Sequence, residues 1–156
     1  RYFMGTSSHN TIVLDNFDQM LKGPNFIWLY WSKMIRTNIT EEPGKVQFSG
    51  TINAFRYVNK KILHTRKIMK HQDEPVWEII DIIKNAPDRI KSQLWHPHPG
   101  YLKDLYITAY DANNKELEKQ TKDGWNSKFY GEKKMTKIIY FKTHSNIIRT
   151  KIKINI

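Results

Sequence analysis

Cysteine is absent from the 156 residues. Its absence excludes disulfide frameworks, structural zinc–thiolate sites and thiol nucleophiles. It leaves the compartment open, because a chain without thiols is indifferent to redox. Long apolar runs are absent as well: nothing approaches the roughly 20 consecutive apolar residues of a bilayer-crossing helix, and the amino end lacks a charged-then-apolar signal pattern, so no membrane span is expected. Acid is scarce. Asp and Glu total 15 against 26 Lys and Arg, a formal net charge of +11, and residues 133–156 carry Lys133, Lys134, Lys137, Lys142, Arg149, Lys151 and Lys153 with no acid among them. A polyanionic partner fits that balance, an acidic polysaccharide or a nucleic acid. Lysine predominates over arginine, which argues against bidentate reading of phosphates or bases, and no aromatic-basic ribonucleoprotein motif is present. A nucleic-acid-binding barrel is therefore the least favoured class, and no nucleic acid partner is expected.

What is present suffices for a normal core: 39% hydrophobic and 26% charged residues exclude collagen-like and wholly disordered chains. The length suits one domain. Turn signals break the apolar stretches at Pro43-Gly44, Asn59-Lys60, Asp73-Glu74-Pro75, Ala86-Pro87-Asp88, His98-Pro99-Gly100, Asn113-Asn114, Asp123-Gly124 and Ser145-Asn146. Short, evenly spaced segments of this kind predict an all-β antiparallel sandwich or barrel.

Between the breaks the period is mostly two. Val46, Phe48, Ile52 and Ala54 alternate with Gln47, Ser49, Thr51 and Asn53, and Ile148, Ile152, Ile154 and Ile156 oppose Arg149, Lys151, Lys153 and Asn155. The carboxyl-terminal strand is expected to close or edge a sheet, its lysines discouraging edge aggregation. Residues 26–39 read as a longer strand, aromatic on both sides and so expected to be covered on both faces. Val76 to Lys84 also fits a helical stripe behind Pro75, but its brevity and isoleucine content favour a strand. Residues 112–122 read as a loop or a turn or two of solvated helix. No internal repeat or low-complexity tract is present.

The opening Arg1-Tyr2-Phe3-Met4-Gly5-Thr6-Ser7-Ser8-His9-Asn10-Thr11-Ile12-Val13-Leu14-Asp15, then Asp18-Gln19 and Gly23-Pro24-Asn25-Phe26-Ile27-Trp28, resembles the heparinase II/III-like polysaccharide lyases, whose marker is His-Asn-Thr before an apolar strand ending in Asp. His64-Thr65-Arg66, Trp77-Glu78-Ile79-Ile80-Asp81, Leu94-Trp95-His96-Pro97 and Gly124-Trp125-Asn126-Ser127-Lys128-Phe129-Tyr130-Gly131 follow in the same order. The resemblance covers nearly the whole chain. It implies a supersandwich-like β-sandwich, residues 1–156, that follows an α/α helical toroid in a longer, periplasmic or secreted enzyme, the two enclosing a cleft for an acidic, uronate-containing polysaccharide. The start at Arg1 rather than Met fits a processed protein or a fragment. The toroid is then a missing partner from the same chain.

β-Elimination of a uronic-acid glycan needs a group that neutralises the carboxylate, a base at C5 and an acid at the leaving oxygen. The resemblance puts the catalytic Tyr and a His-x-His-x-Asp strand before Arg1, so the isolated chain is expected to be inactive, with no catalytic residue of its own. His9 matches the family's third metal-ligand position, the other ligands lying upstream. Zinc is thus expected in the full-length protein and not in this fragment, since stable sites need three or four protein ligands. The alternative for His9 is a histidine satisfied by turn hydrogen bonds among Thr6, Ser7 and Ser8. Asn10 and Thr11 are expected to hold the turn and orient His9, and Asp15 to end the strand or cap a turn.

His64 and Arg66 share a strand face and are the substrate-binding candidates, while a cross-strand pair with an acid such as Asp81 accounts for them equally well. His96 and His98 lie among prolines, where exposed, unpaired histidines are common. The five tryptophans could include sugar-stacking platforms but are more often core. A rival function is a non-catalytic glycan-binding or scaffolding module that buttresses a toroid and lines one wall of its cleft. Relatives serve polysaccharide assembly as well as degradation, and the glycan itself is not specified by sequence.

Overall fold

The computed structural model describes residues 2–129 and 131–155; Arg1, Tyr130 and Ile156 lie outside the described residues. The strands are β1 (Ile12–Leu14), β2 (Leu21–Lys22), β3 (Trp28–Leu29), β4 (Lys33–Glu42), β5 (Lys45–Asn53), β6 (Leu63–His71), β7 (Val76–Lys84), β8 (Lys91–Trp95), β9 (Leu105–Tyr110), β10 (Gln120–Asn126), β11 (Lys134–Thr143) and β12 (Ile147–Ile154). Short 3-10 turns at Tyr2–Met4, Thr6–Ser8 and Pro99–Tyr101 are the helical elements among the described residues, and none is long and apolar enough to cross a membrane.

All pairings are antiparallel. A four-stranded sheet runs β1-β8-β11-β10, a six-stranded sheet β4-β5-β6-β7-β12-β9, and β2-β3 form a small hairpin. The two large sheets make the single sandwich domain predicted from turn spacing. In β7, Ile79, Asp81 and Ile83 are buried at period two, which settles Val76–Lys84 as strand. The core between the sheets takes Ile12 and Leu14 from β1, Ile139 and Phe141 from β11, and Ile83, Ile107, Ala109 and Ile148 from the facing strands. Burying such side chains stabilises by about 1.5–3 kcal/mol each.

Several expectations fail for identifiable reasons. The carboxyl-terminal strand is not an edge: β12 lies between β7 and β9, so Lys151 and Lys153 point away from the core rather than guard an edge. Asp123-Gly124 is not a turn but the middle of β10, paired with Lys137 and Thr136. A Cβ on Gly124 would lie 2.4 Å from Ile138 Cγ1 and 2.9 Å from the Tyr2 hydroxyl, so this glycine serves a close approach. Residues 112–122 are loop until β10 begins at Gln120, with no helix.

Residues 26–39 do not form one covered strand. The chain bends at Tyr30, whose φ is +55, between β3 and β4, and all ten residues of β4 are exposed. Phe26, Trp31 and Ile39 are 86, 62 and 63% exposed. β4 is an edge of the wider sheet that the narrower sheet leaves uncovered. Of the five tryptophans, Trp95 packs half-buried against the main core, Trp28, Trp77 and Trp125 are half-buried, and Trp31 is exposed.

Candidate functional site

The marker block lies across the outer face of the four-stranded sheet. Tyr2 packs on Val13, Leu94 and Ile138, and its hydroxyl accepts the Trp125 amide hydrogen at 3.2 Å. The turn before β1 is fastened by Asp18, whose Oδ1 accepts from Thr6 N at 2.6 Å, and by Gln19, whose amide donates to Thr6 Oγ1 and whose Nε2 donates to Thr11 Oγ1. Tyr57 donates to the Asp18 carbonyl at 2.8 Å. Burial, with the Asp18 charge second, pushes the Tyr57 phenol up to about 12. Asp15 ends β1 with φ +49. Its carboxylate accepts from Ile90 N at 3.0 Å and from Arg89 at 2.7 Å, an anchor for the strand end of the kind expected for it.

These fastenings place His9 at the rim. Its amide donates to the Thr6 carbonyl at 3.2 Å and its carbonyl accepts from Thr11 N at 2.9 Å, while the imidazole is exposed beside a cavity of about 180 Å³ that Trp28 also lines. Asn10 turns the other way. Its Oδ1 accepts the backbone N–H of His96 at 2.7 Å and stands 3.3 Å from His96 Nδ1. The Asn10 atom facing that N–H must be oxygen. His96 Nε2 is buried without a hydrogen-bond partner of good geometry, the Ser7 backbone lying beside the ring. Burial first, then the His9 and Lys122 charges, hold this imidazole below its ordinary value and so favour the neutral form. His96 is thus neither exposed nor unpaired, whereas His98 is exposed and caps the Pro99–Tyr101 turn by accepting from Gly100 N.

The turn is held from behind by a buried polar network. Asp81, 1% exposed, accepts from His64 Nε2 and from Arg66 Nε and Nη2, each at 2.7 Å, and from Gln93 Nε2 at 2.7 Å. Gln93 Oε1 in turn accepts from Thr150 at 2.6 Å and Trp95 Nε1 at 3.0 Å. Arg66 also donates from Nη1 to the Asn10 carbonyl and lies 5.3 Å from the Trp95 ring centroid. Hydrogen bonding and the charges of His64 and Arg66 outweigh the opposing and larger burial effect, holding the Asp81 carboxyl well below the usual carboxylate range. His64 and Arg66 therefore meet a carboxylate of the protein itself. His64 is buried, and Arg66 links that carboxylate to the backbone of the marker turn.

Asn10 and Thr11 hold the turn through His96, Arg66 and Gln19 rather than through a bond to the His9 ring. An apolar groove of about 310 Å³, with Trp77 and Trp95 among its walls, opens on the other side of Asn10 and His96. Among the described residues no three His, Asp or Glu side chains gather as a metal-binding group, so these donors do not make a zinc site by themselves. His96 and its bond to Asn10 were not legible from residue type; the Leu94-Trp95-His96-Pro97 block was the available signal.

The heparinase II/III-like, C-terminal family model matches residues 1–154. Among solved structures, heparan sulfate lyase HepC from Pedobacter heparinus superposes with a TM-score of 0.73 at 13% identity over 97% of this chain and 25% of that one. The heparinase III BT4657 gene product does so at 0.69 and 13%, over 97% of this chain and 24% of that one. The chain therefore spans about a quarter of the length of the solved structures it matches. A search of curated proteins finds no match. With the sandwich, the marker turn and the family match in agreement, the chain belongs to the heparinase II/III-like family as its C-terminal domain.

Proposed function

We propose that this chain is the β-sheet wall of a polysaccharide lyase that cleaves acidic, uronate-containing glycans by β-elimination, and that it is inactive in isolation. The observation that carries this reading is the marker turn itself. It is held at a rim between two openings, exposing His9 with the half-buried His96 on the other side of the turn. Rigid support of this kind suits groups that must meet a substrate at fixed geometry. Among the described residues no complete set of carboxylate neutraliser, base and acid comes together, so in this reading the rest of the chemistry falls to a helical domain of the same longer polypeptide.

In this reading the bare β3–β4 flank is where that domain packs, since contiguous exposed apolar surface marks interaction sites. His9 is one ligand of a zinc ion completed by residues of the longer protein, where the metal would act as a Lewis acid or a structural fastener. His64 and Arg66 would serve substrate binding through the turn they support. A periplasmic or secreted location belongs to the same proposal.

The test is formation of the ultraviolet-absorbing unsaturated uronate on heparan-type and alginate-type glycans. The 156-residue chain should give none and the gene's full product should give it at enzymatic rates. Activity of the chain alone, or inactivity of the full product on every acidic glycan, would overturn the reading. The scaffolding alternative predicts that deleting the domain weakens glycan binding while leaving turnover measurable.

A further inference from the structure

A second groove, of about 900 Å³, lies over the outer face of the four-stranded sheet. Its floor carries Leu94 and Ser92 from β8 and Tyr140 from β11, and Ser7 of the marker block stands on its wall. Register puts Lys122 of β10 opposite Ile138 and so on the same face as Tyr140. Lys142 follows Tyr140 at the next position of that face. The two ammonium groups flank one ring, at 5.5 and 5.4 Å from its centroid.

The groove also contains Asp15 and Asp18, but both are engaged: Asp15 with Arg89 and the Ile90 amide, Asp18 with the Thr6 amide. Among the described residues neither Lys122 nor Lys142 has a carboxylate partner, whereas Lys134 and Lys137 do. The basic end adjoins the marker turn, because the Lys122 charge bears on His96.

We infer that Tyr140, Lys122 and Lys142 form an anionic-saccharide subsite on the outer face of the four-stranded sheet. The apolar face of a pyranose ring lies on Tyr140, and its carboxylate or sulfate group lies between the two ammonium groups. An aromatic face with flanking cations in a wide, wet groove suits a flat ring bearing an acid. Lysine rather than arginine disfavours a phosphodiester read bidentately. The inference rests on the reading of the chain as a glycan wall for the identity of the ring, and on the geometry alone for the acid.

Titrating the 156-residue chain calorimetrically with short oligosaccharides tests it, using an unsulfated uronate oligomer, a sulfated uronate oligomer, a neutral glucose oligomer and a single-stranded oligothymidylate. The two acidic sugars should bind and the neutral one should not; binding of the sulfated oligomer alone would restrict the acid to sulfate and overturn the uronate part. Tyr140→Ala and Tyr140→Leu should each weaken acidic-sugar binding roughly tenfold. The leucine variant preserves packing on Val13 and Leu94 and should melt like the parent. Lys122→Gln and Lys142→Gln should each weaken binding several-fold, while Lys151→Gln, on the opposite face of the molecule, should leave it unchanged.

Equal losses from Lys151→Gln and Lys142→Gln, indifference to Tyr140→Leu, or tighter binding of the oligothymidylate with the same variant dependence would overturn the subsite. Binding here without lyase activity in the full product would remove the proposed function and leave the subsite standing. Activity without binding here would do the reverse.

Discussion

The centre of the sandwich and the β3–β4 flank are built from the same residue types and end in opposite states. At the centre, Asp81 is 1% exposed and receives hydrogen bonds from His64, Arg66 and Gln93, while Ile148 opposite it and Phe141 in the core are 2 and 0% exposed. On the flank, Phe26 before β3, Trp31 between β3 and β4, and Ile39 in the exposed edge strand β4 each stand more than half exposed. Both regions are rich in aromatic and β-branched residues, so composition does not distinguish them. The centre is closed by this chain's own second sheet. The flank has no such partner among the described residues, which fits a surface that another part of a longer protein covers.

Substitutions should separate the two regions sharply. Removing the acceptor with Asp81→Ala leaves buried His64 and half-buried Arg66 without their counter-charge and should cost about 3–5 kcal/mol, read as a lower urea midpoint or failure to fold. Phe141→Ala should cost a similar 3–5 kcal/mol through cavity formation. Gly124→Ala, which drives a methyl group into Ile138, should cost about 1–3 kcal/mol. Trp31→Ser and Ile39→Ser should change the isolated chain by no more than about 0.5 kcal/mol. A loss of several kcal/mol on the flank would erase the contrast.

The pH dependence follows from Asp81. Its folded-state pKa lies below that of the unfolded chain, so the carboxylate adds stability above about pH 4, the unfolded value. That stability is lost as pH falls from there toward the folded value. Acid melts followed by circular dichroism should show the loss in the parent and a flatter profile in Asp81→Asn. The smallest expected effect concerns metal: dialysed chain should bind zinc weakly, and a tight equimolar content would reveal ligands beyond His9.

The strands were largely legible because period two survives wherever one face is buried, as in Val76–Lys84 and Ile147–Ile154. Sheet position was not legible. Nothing in Ile-Lys alternation says whether β12 is an edge, since that depends on where β9 pairs. Gly124 misled because a turn glycine and a close-approach glycine look alike without the Ile138 side chain above it. Residues 26–39 misled because aromatic side chains on both sides of a segment read as two covered faces, whereas Phe26, Trp31 and the whole of β4 stand exposed in the sandwich. At the site, the fastening role of Asp15 was visible in the marker block. The His96–Asn10 bond and the Arg66 link joining Asp81 to the turn depend on long-range register and were not.

Hydrogen–deuterium exchange of the β4 amides, compared between the 156-residue chain and the gene's full product, tests the account most directly. Fast exchange along Lys33–Glu42 in the chain alone, with strong protection in the full product and unchanged protection in β7, is the predicted result. Equal exchange of β4 in both proteins would contradict it, because the flank would then be an ordinary solvent face and the sandwich a free-standing module.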